Sequence, residues 1–128
     1  MIRAQGTAAV VEQLDAIAEA VTRGMTAAIA AETRAMQTEA KNRCPVETGA
    51  LRESITGRMQ AQGACVEGTV GSGLAYAPLV ELGTLQKPPQ PYLTPALRMR
   101  KSVLAERIRQ TVRQAVTTAG TRQKEETE

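Results

Sequence analysis

The sequence predicts an α+β fold: a long N-terminal helix, a small antiparallel β-sheet with a hairpin, a Pro-rich arm and a C-terminal helix. Three observations carry this prediction. Residues 9–43 repeat apolar side chains at helical spacing, and residues 55–71 alternate apolar and polar side chains around a Gly-containing link. Residues 74–97 hold both tyrosines and five of the six prolines, in a chain without Phe, Trp or His. Each proline removes an N–H donor and biases its predecessor to extended backbone, so no continuous helix passes through that stretch.

Residues 1–8 read as a frayed start. From 9 to 43 the apolar positions are Val10, Leu14, Ile17, Ala18, Val21, Met25, Ala28, Ile29, Met36 and Ala40, which share a helical stripe. Glu12, Asp15 and Glu19 lie toward the start and Lys41 and Arg43 at the end, the order that the helix dipole favours. Gly24 is the weak position and permits a bend. Such a helix is about 50 Å long at 1.5 Å per residue, more than a small domain covers. Its stripe therefore divides between ordinary core and contact with a neighbour.

Pro45 ends the helix. In residues 45–54, PVETGALRES, Thr48 caps a short turn through Gly49, Ala50 and Leu51. Glu47, Arg52 and Glu53 suggest an acid–base cluster, but no nucleophile or metal-binding group accompanies them. A solvated face or a local ion pair explains them better. The hairpin follows, with strands at 55–60 and 65–71 joined by 61–64. Alternation places Ile55 and Met59 with Val66 and Val70 on one face, and Arg58, Glu67 and Thr69 toward solvent. Gly57 and Gly68 imply a close backbone approach or a bulge. Gly71-Ser72-Gly73 ends the second strand and lacks the lysine of a phosphate loop.

Residues 76–82 form a short amphipathic turn or helix that breaks at Gly83-Thr84. An extended Pro-rich arm then runs to Thr94-Pro95, where Thr94 caps the last helix and Pro95 opens it. That helix covers 95–119, with Gly120 as its C-cap, and its buried stripe is Leu97, Leu104, Ile108, Val112, Ala115 and Val116. Arg98, Arg100, Lys101, Arg107, Arg109 and Arg113 stand against one acid, Glu106. This basic excess contacts DNA phosphate or an acidic partner surface, or is a solvated face. No aromatic side chains accompany it to stack on bases. Residues 121–128 read as a disordered polar tail, leaving 1–120 as a single domain.

Composition narrows the function. The chain has 128 residues and a net charge of +3, too mild to mark a nucleic-acid-binding protein by itself. Only 2% of residues are aromatic, so the core buries little area per residue and assembly with other chains would stabilise it. Cys44 and Cys65 fit free thiols in a reduced compartment. Without His or a Cys-x-x-Cys pair no transition-metal site is expected, and the carboxylates lack the paired spacing of a Mg²⁺ site. No cofactor is expected. With no His and no base beside either cysteine, nucleophilic and general acid–base schemes lack their residues. No export signal or membrane span is present.

Three blocks now stand in order: Pro-Val-x-Thr-Gly-x-Leu-Arg-x-Ser at 45–54, Tyr-Ala-x-x-x-Glu-x-Gly-Thr at 76–84, and Pro-x-Pro-Tyr-Leu-x-Pro-Ala at 89–96. With a helix before and after, this set resembles the head–tail joining, or tail-completion, proteins of lambda-like long-tailed bacteriophages, related prophages and gene transfer agents. The resemblance implies a non-enzymatic virion protein of the neck, assembled in the bacterial cytoplasm as a homo-oligomeric ring, a hexamer in the simplest case. Its implied partners are adjacent neck proteins: a head-closure or connector protein on one side, and a tail terminator or tail tube on the other. Packaged DNA is a further candidate contact for the basic helix. Tail termination and head closure are neighbouring roles within the same neck. From a different class, a small cytoplasmic DNA-binding protein would use Arg98 to Arg113. In a ring, a prestiffened arm suits docking onto a different patch of the next copy. The candidate interface is Tyr76, Leu79, Glu81, Thr84, Lys87, Pro88, Pro89, Pro91, Tyr92 and Leu93, with the tyrosines as anchors or, alternatively, as core aromatics.

Overall fold

The computed structural model describes residues 7–47, 49–63 and 65–127. Thr48, the expected cap, and residues 1–6 and 128 of the two expected loose ends lie outside the described residues. Helix α1 (Thr7–Arg43) is followed by the short helix α2 (Ala50–Ser54), strands β1 (Thr56–Gln62) and β2 (Cys65–Gly71), helix α3 (Ala77–Leu82) and helix α4 (Leu93–Thr127). The α+β architecture is the one that the sequence predicts.

The strands form one antiparallel hairpin in continuous register from Thr56↔Gly71 to Gln62↔Cys65, with Met59 opposite Gly68. The link is shorter than expected, because Ala61 and Gln62 pair within the ladder. Ile55 is not a strand residue. It closes α2 with extended backbone (φ −69°, ψ 117°) and its side chain is fully buried.

Gly57 and Gly68 are explained by close approach, without a bulge. A Cβ on Gly57 would lie 3.0 Å from Gln37 Oε1 and 3.1 Å from Thr33 Cγ2, and one on Gly68 would collide with the Thr33 hydroxyl. Small residues on the sheet let α1 rest on its backbone. Thr33 completes the seam, donating to the Ile29 carbonyl (2.7 Å) and contacting Met59 Sδ (3.6 Å).

Helix α1 lies between the hairpin and α4, which runs antiparallel to it. Gln13 Nε2 donates to the Ala119 carbonyl (3.3 Å), Glu32 pairs with Arg100 and Arg107, and Arg43 reaches Met99. Helix α1 is unbroken through Gly24, the position at which the sequence permits a bend. Gly24 serves as a contact point, since a Cβ there would collide with Thr111 of α4.

Helix α4 departs from expectation at both ends. It starts at Leu93, two residues early, and runs past Gly120 to Thr127. Of its expected buried stripe, Ala115 is buried and Leu104 and Ile108 are half-buried, whereas Leu97, Val112 and Val116 are exposed; the fully buried Ala96 lies outside that stripe. Helical spacing identifies the apolar edge, but a single neighbouring helix covers only part of it.

The main core sits where the elements converge, around Ala40, Cys44, Leu51, Ile55, Ala77, Tyr92 and Ala96. Ile55 and Tyr92 are its largest fully buried side chains. Both cysteines are free thiols, Cys44 buried and Cys65 exposed. Burial pushes the Cys44 thiol above its ordinary value, against a smaller lowering by Arg52.

Candidate functional site

Helix α3 begins with Pro78 in its first turn and ends at Gly83. Gly83 adopts φ 78°, and a Cβ there would come within 2.7 Å of Pro89 N. Both the left-handed backbone and the contact require glycine. The chain then turns instead of extending. The Thr84 amide donates to the Lys87 carbonyl (2.9 Å), and the Thr84 hydroxyl accepts from the Lys87 amide (3.0 Å) and the Gln86 amide (3.3 Å). Residues 88–91 return beside α3. Three of them are prolines, so Gln90 has the one backbone N–H of the run, and it donates to the Val80 carbonyl (2.9 Å). The expected extended arm is thus a loop fastened at its tip and at its return.

Glu81 anchors the end of that loop. Oε2 accepts from the amides of Tyr92 (2.8 Å) and Leu93 (3.0 Å), and Oε1 accepts from the Thr94 amide (2.9 Å) and hydroxyl (2.6 Å). These amides open α4, where helical partners are lacking and negative charge is favoured. The cap expected of Thr94 therefore comes from Glu81, and Thr94 points its hydroxyl at the same carboxylate. Burial pushes the Glu81 carboxyl up, but the bonds from Thr94, Leu93 and Tyr92 outweigh it, and the carboxyl titrates below its ordinary value.

The ten arm residues separate into three groups. Tyr76, Leu79, Thr84, Lys87 and Pro88 line a groove of about 720 Å³, together with Pro45, Glu47, Gly49, Leu51, Val80 and Gln90. Pro89 lies against Gly83, and both Pro89 and Pro91 are exposed. Glu81, Tyr92 and Leu93 are occupied within the fold: Glu81 by its four bonds, Leu93 against the core, and Tyr92 by complete burial. Tyr92 is therefore no exposed anchor. Residues 88–91 fold back and turn its ring inward. The groove thus joins parts of all three sequence blocks. Val46 and Leu85, each next in sequence to a lining residue, and Leu82 are exposed apolar side chains that sequence reasoning did not single out. Leu82 and Leu85 bracket the Gly83-Thr84 break, a signal available in the sequence.

The Tyr92 hydroxyl is buried without a hydrogen-bond partner among the described residues. Burial, with smaller effects from Cys44, Glu81 and Tyr76, raises its pKa. Tyr92→Phe removes an unsatisfied group at constant shape, so stability is expected to hold or rise by about 1 kcal/mol. Urea unfolding midpoints of the two proteins check this. A clear loss would mean that the hydroxyl is bonded.

The six basic residues of α4 also separate. Arg100 grips the buried Glu32 through Nε–Oε2 (2.7 Å) and Nη2–Oε1 (3.0 Å), and Arg107 Nε adds a third contact (3.0 Å). Arg109 pairs with Glu106 at 3.4 Å. Arg98, Lys101 and Arg113 are exposed and hold no ion pair among the described residues. Glu32, missed in the sequence, thus pairs with two of the six candidate DNA contacts, of which Arg100 is half-buried and Arg107 stays exposed. No group of His, Cys, Asp or Glu among the described residues is arranged to hold a metal ion, and no described helix is long and apolar enough to cross a membrane.

These features define a small α+β protein with a groove between residues 45–51, α3 and the loop that returns beside it. Residues 8–83 match the HK97-gp10-like family, described as "Bacteriophage HK97-gp10, putative tail-component". The chain belongs to this family of phage tail components. The match includes the first sequence block and the second up to Gly83, and the third lies beyond it. No curated protein and no solved structure matches the chain.

Proposed function

We propose that this protein is a ring-forming subunit of the phage neck, a tail-completion or head–tail joining protein of the kind found in lambda-like long-tailed phages. The observation that carries the reading is the groove, in which segments distant in sequence meet around side chains left exposed beside it. Family membership supplies the phage-tail setting. In this reading the role is mechanical, with no reaction assigned. Copies associate head to tail, most simply as a hexamer, between a head-closure or connector protein and a tail terminator or tail tube. The groove receives an apolar segment of an adjacent neck subunit, with Tyr76 and Leu79 as anchors.

Leu79→Glu and Leu85→Glu alter exposed side chains and leave the core untouched. In a producing strain whose own gene is disrupted, each variant is expected to yield infectious particles about 10-fold or more below the unaltered gene. Circular dichroism of the purified variants should be unchanged. Full complementation by both folded variants would refute the groove as a docking site.

A further inference from the structure

Two exposed helix faces of this chain are complementary to each other. On α1, Val11, Leu14, Asp15 and Ala18 follow the i, i+3, i+4, i+7 spacing of one face, and Glu19 adjoins Asp15. Val11, Asp15 and Glu19 stand about five turns before Ile29, Thr33 and Gln37, on the same side of the helix. In the second half of α1 that side is covered by Gly57 and Gly68 of the hairpin. In the first half Val11, Leu14, Asp15, Ala18 and Glu19 are all exposed. On α4, Arg109, Val112, Arg113 and Val116 repeat the same spacing, and all four are exposed. They lie away from Thr111 and Ala115, which are turned inward. One face is apolar with acids, and the other is apolar with bases. Asp15, Glu19 and Arg113 hold no ion pair among the described residues.

We infer that the first half of α1 in one copy docks on the outer face of α4 in the next, with Asp15 and Glu19 against Arg109 and Arg113. The contact joins two different patches, so it repeats head to tail and closes into a ring when the rotation permits. This inference rests on the ring reading above and names the partner as a second copy of the chain. Under it, Arg109 and Arg113 face protein instead of DNA.

Paired charge reversals test the inference on purified full-length protein, independently of any role in particles. One variant carries Asp15→Arg and Glu19→Arg, so both of its faces are basic. The other carries Arg109→Glu and Arg113→Glu, so both of its faces are acidic. In sedimentation velocity at high concentration and low salt, each variant alone is expected to remain monomeric. Their equimolar mixture should associate about 10-fold or more tightly than either, and less so as salt rises. A mixture that sediments as monomers, or a single variant that associates like the unaltered protein, would overturn the contact. Failure here leaves the neck assignment to be decided by particle morphology, where a wrong assignment would show instead.

Discussion

Glu81→Ala is expected to destabilise the protein by about 3 kcal/mol, because four hydrogen bonds to one carboxylate are lost and three amides at the start of α4 lose their acceptor. The effect spreads beyond the helix end. The same bonds position Tyr92, the largest fully buried side chain, and hold the returning loop that walls the groove. Urea unfolding measures the loss, and an effect below about 1 kcal/mol would show that the carboxylate is not the anchor.

The pH dependence of that bond set has a definite sign. The folded Glu81 carboxyl titrates below its ordinary value, so its stabilisation is complete above the unfolded carboxyl pKa of about 4.3 and is lost as pH falls through the lower folded value. Unaltered protein should therefore lose stability below about pH 4 more steeply than Glu81→Gln, whose side chain does not titrate. Parallel acid-denaturation curves would contradict this account.

Glu32→Ala is the second large effect, expected at about 3 to 5 kcal/mol, because it breaks a buried ion pair and leaves two arginines facing a cavity. The partners are unequal. Arg100 contacts both carboxylate oxygens and its side chain is 23% exposed, whereas Arg107 makes one contact and is 47% exposed. Arg100→Ala should therefore cost more than Arg107→Ala, since solvent already screens the latter. Thermal and urea unfolding of the three variants check the order, and equal costs for the arginines would contradict the geometry.

These two residues also show where sequence reasoning ended. Local patterns are readable: the period of α1, the alternation of the hairpin, the Gly83-Thr84 break that ends α3, and Gly57 and Gly68 as close-approach positions. Each depends on spacing within one element. Glu81 and Glu32 act on residues 11 to 13 and 68 or 75 positions away, and nothing in a local period distinguishes them from surface acids. The Pro-rich segment is legible as a stiff arm, but its path is not. Proline rigidity sets the local geometry, whereas Thr84, Gln90 and Glu81 set the direction of the loop. That path decides which arm residues reach the groove and which, like Tyr92, enter the core. The exposed apolar edges of α1 and α4 were half legible, since excess helix length implies a neighbour without saying which face meets it.

The central claim, a structural role at the junction of head and tail, is tested most directly by electron microscopy of particles from a producing strain with this gene disrupted. Filled heads beside separate or malformed tails are the predicted result. Normal, joined and infectious particles would contradict it.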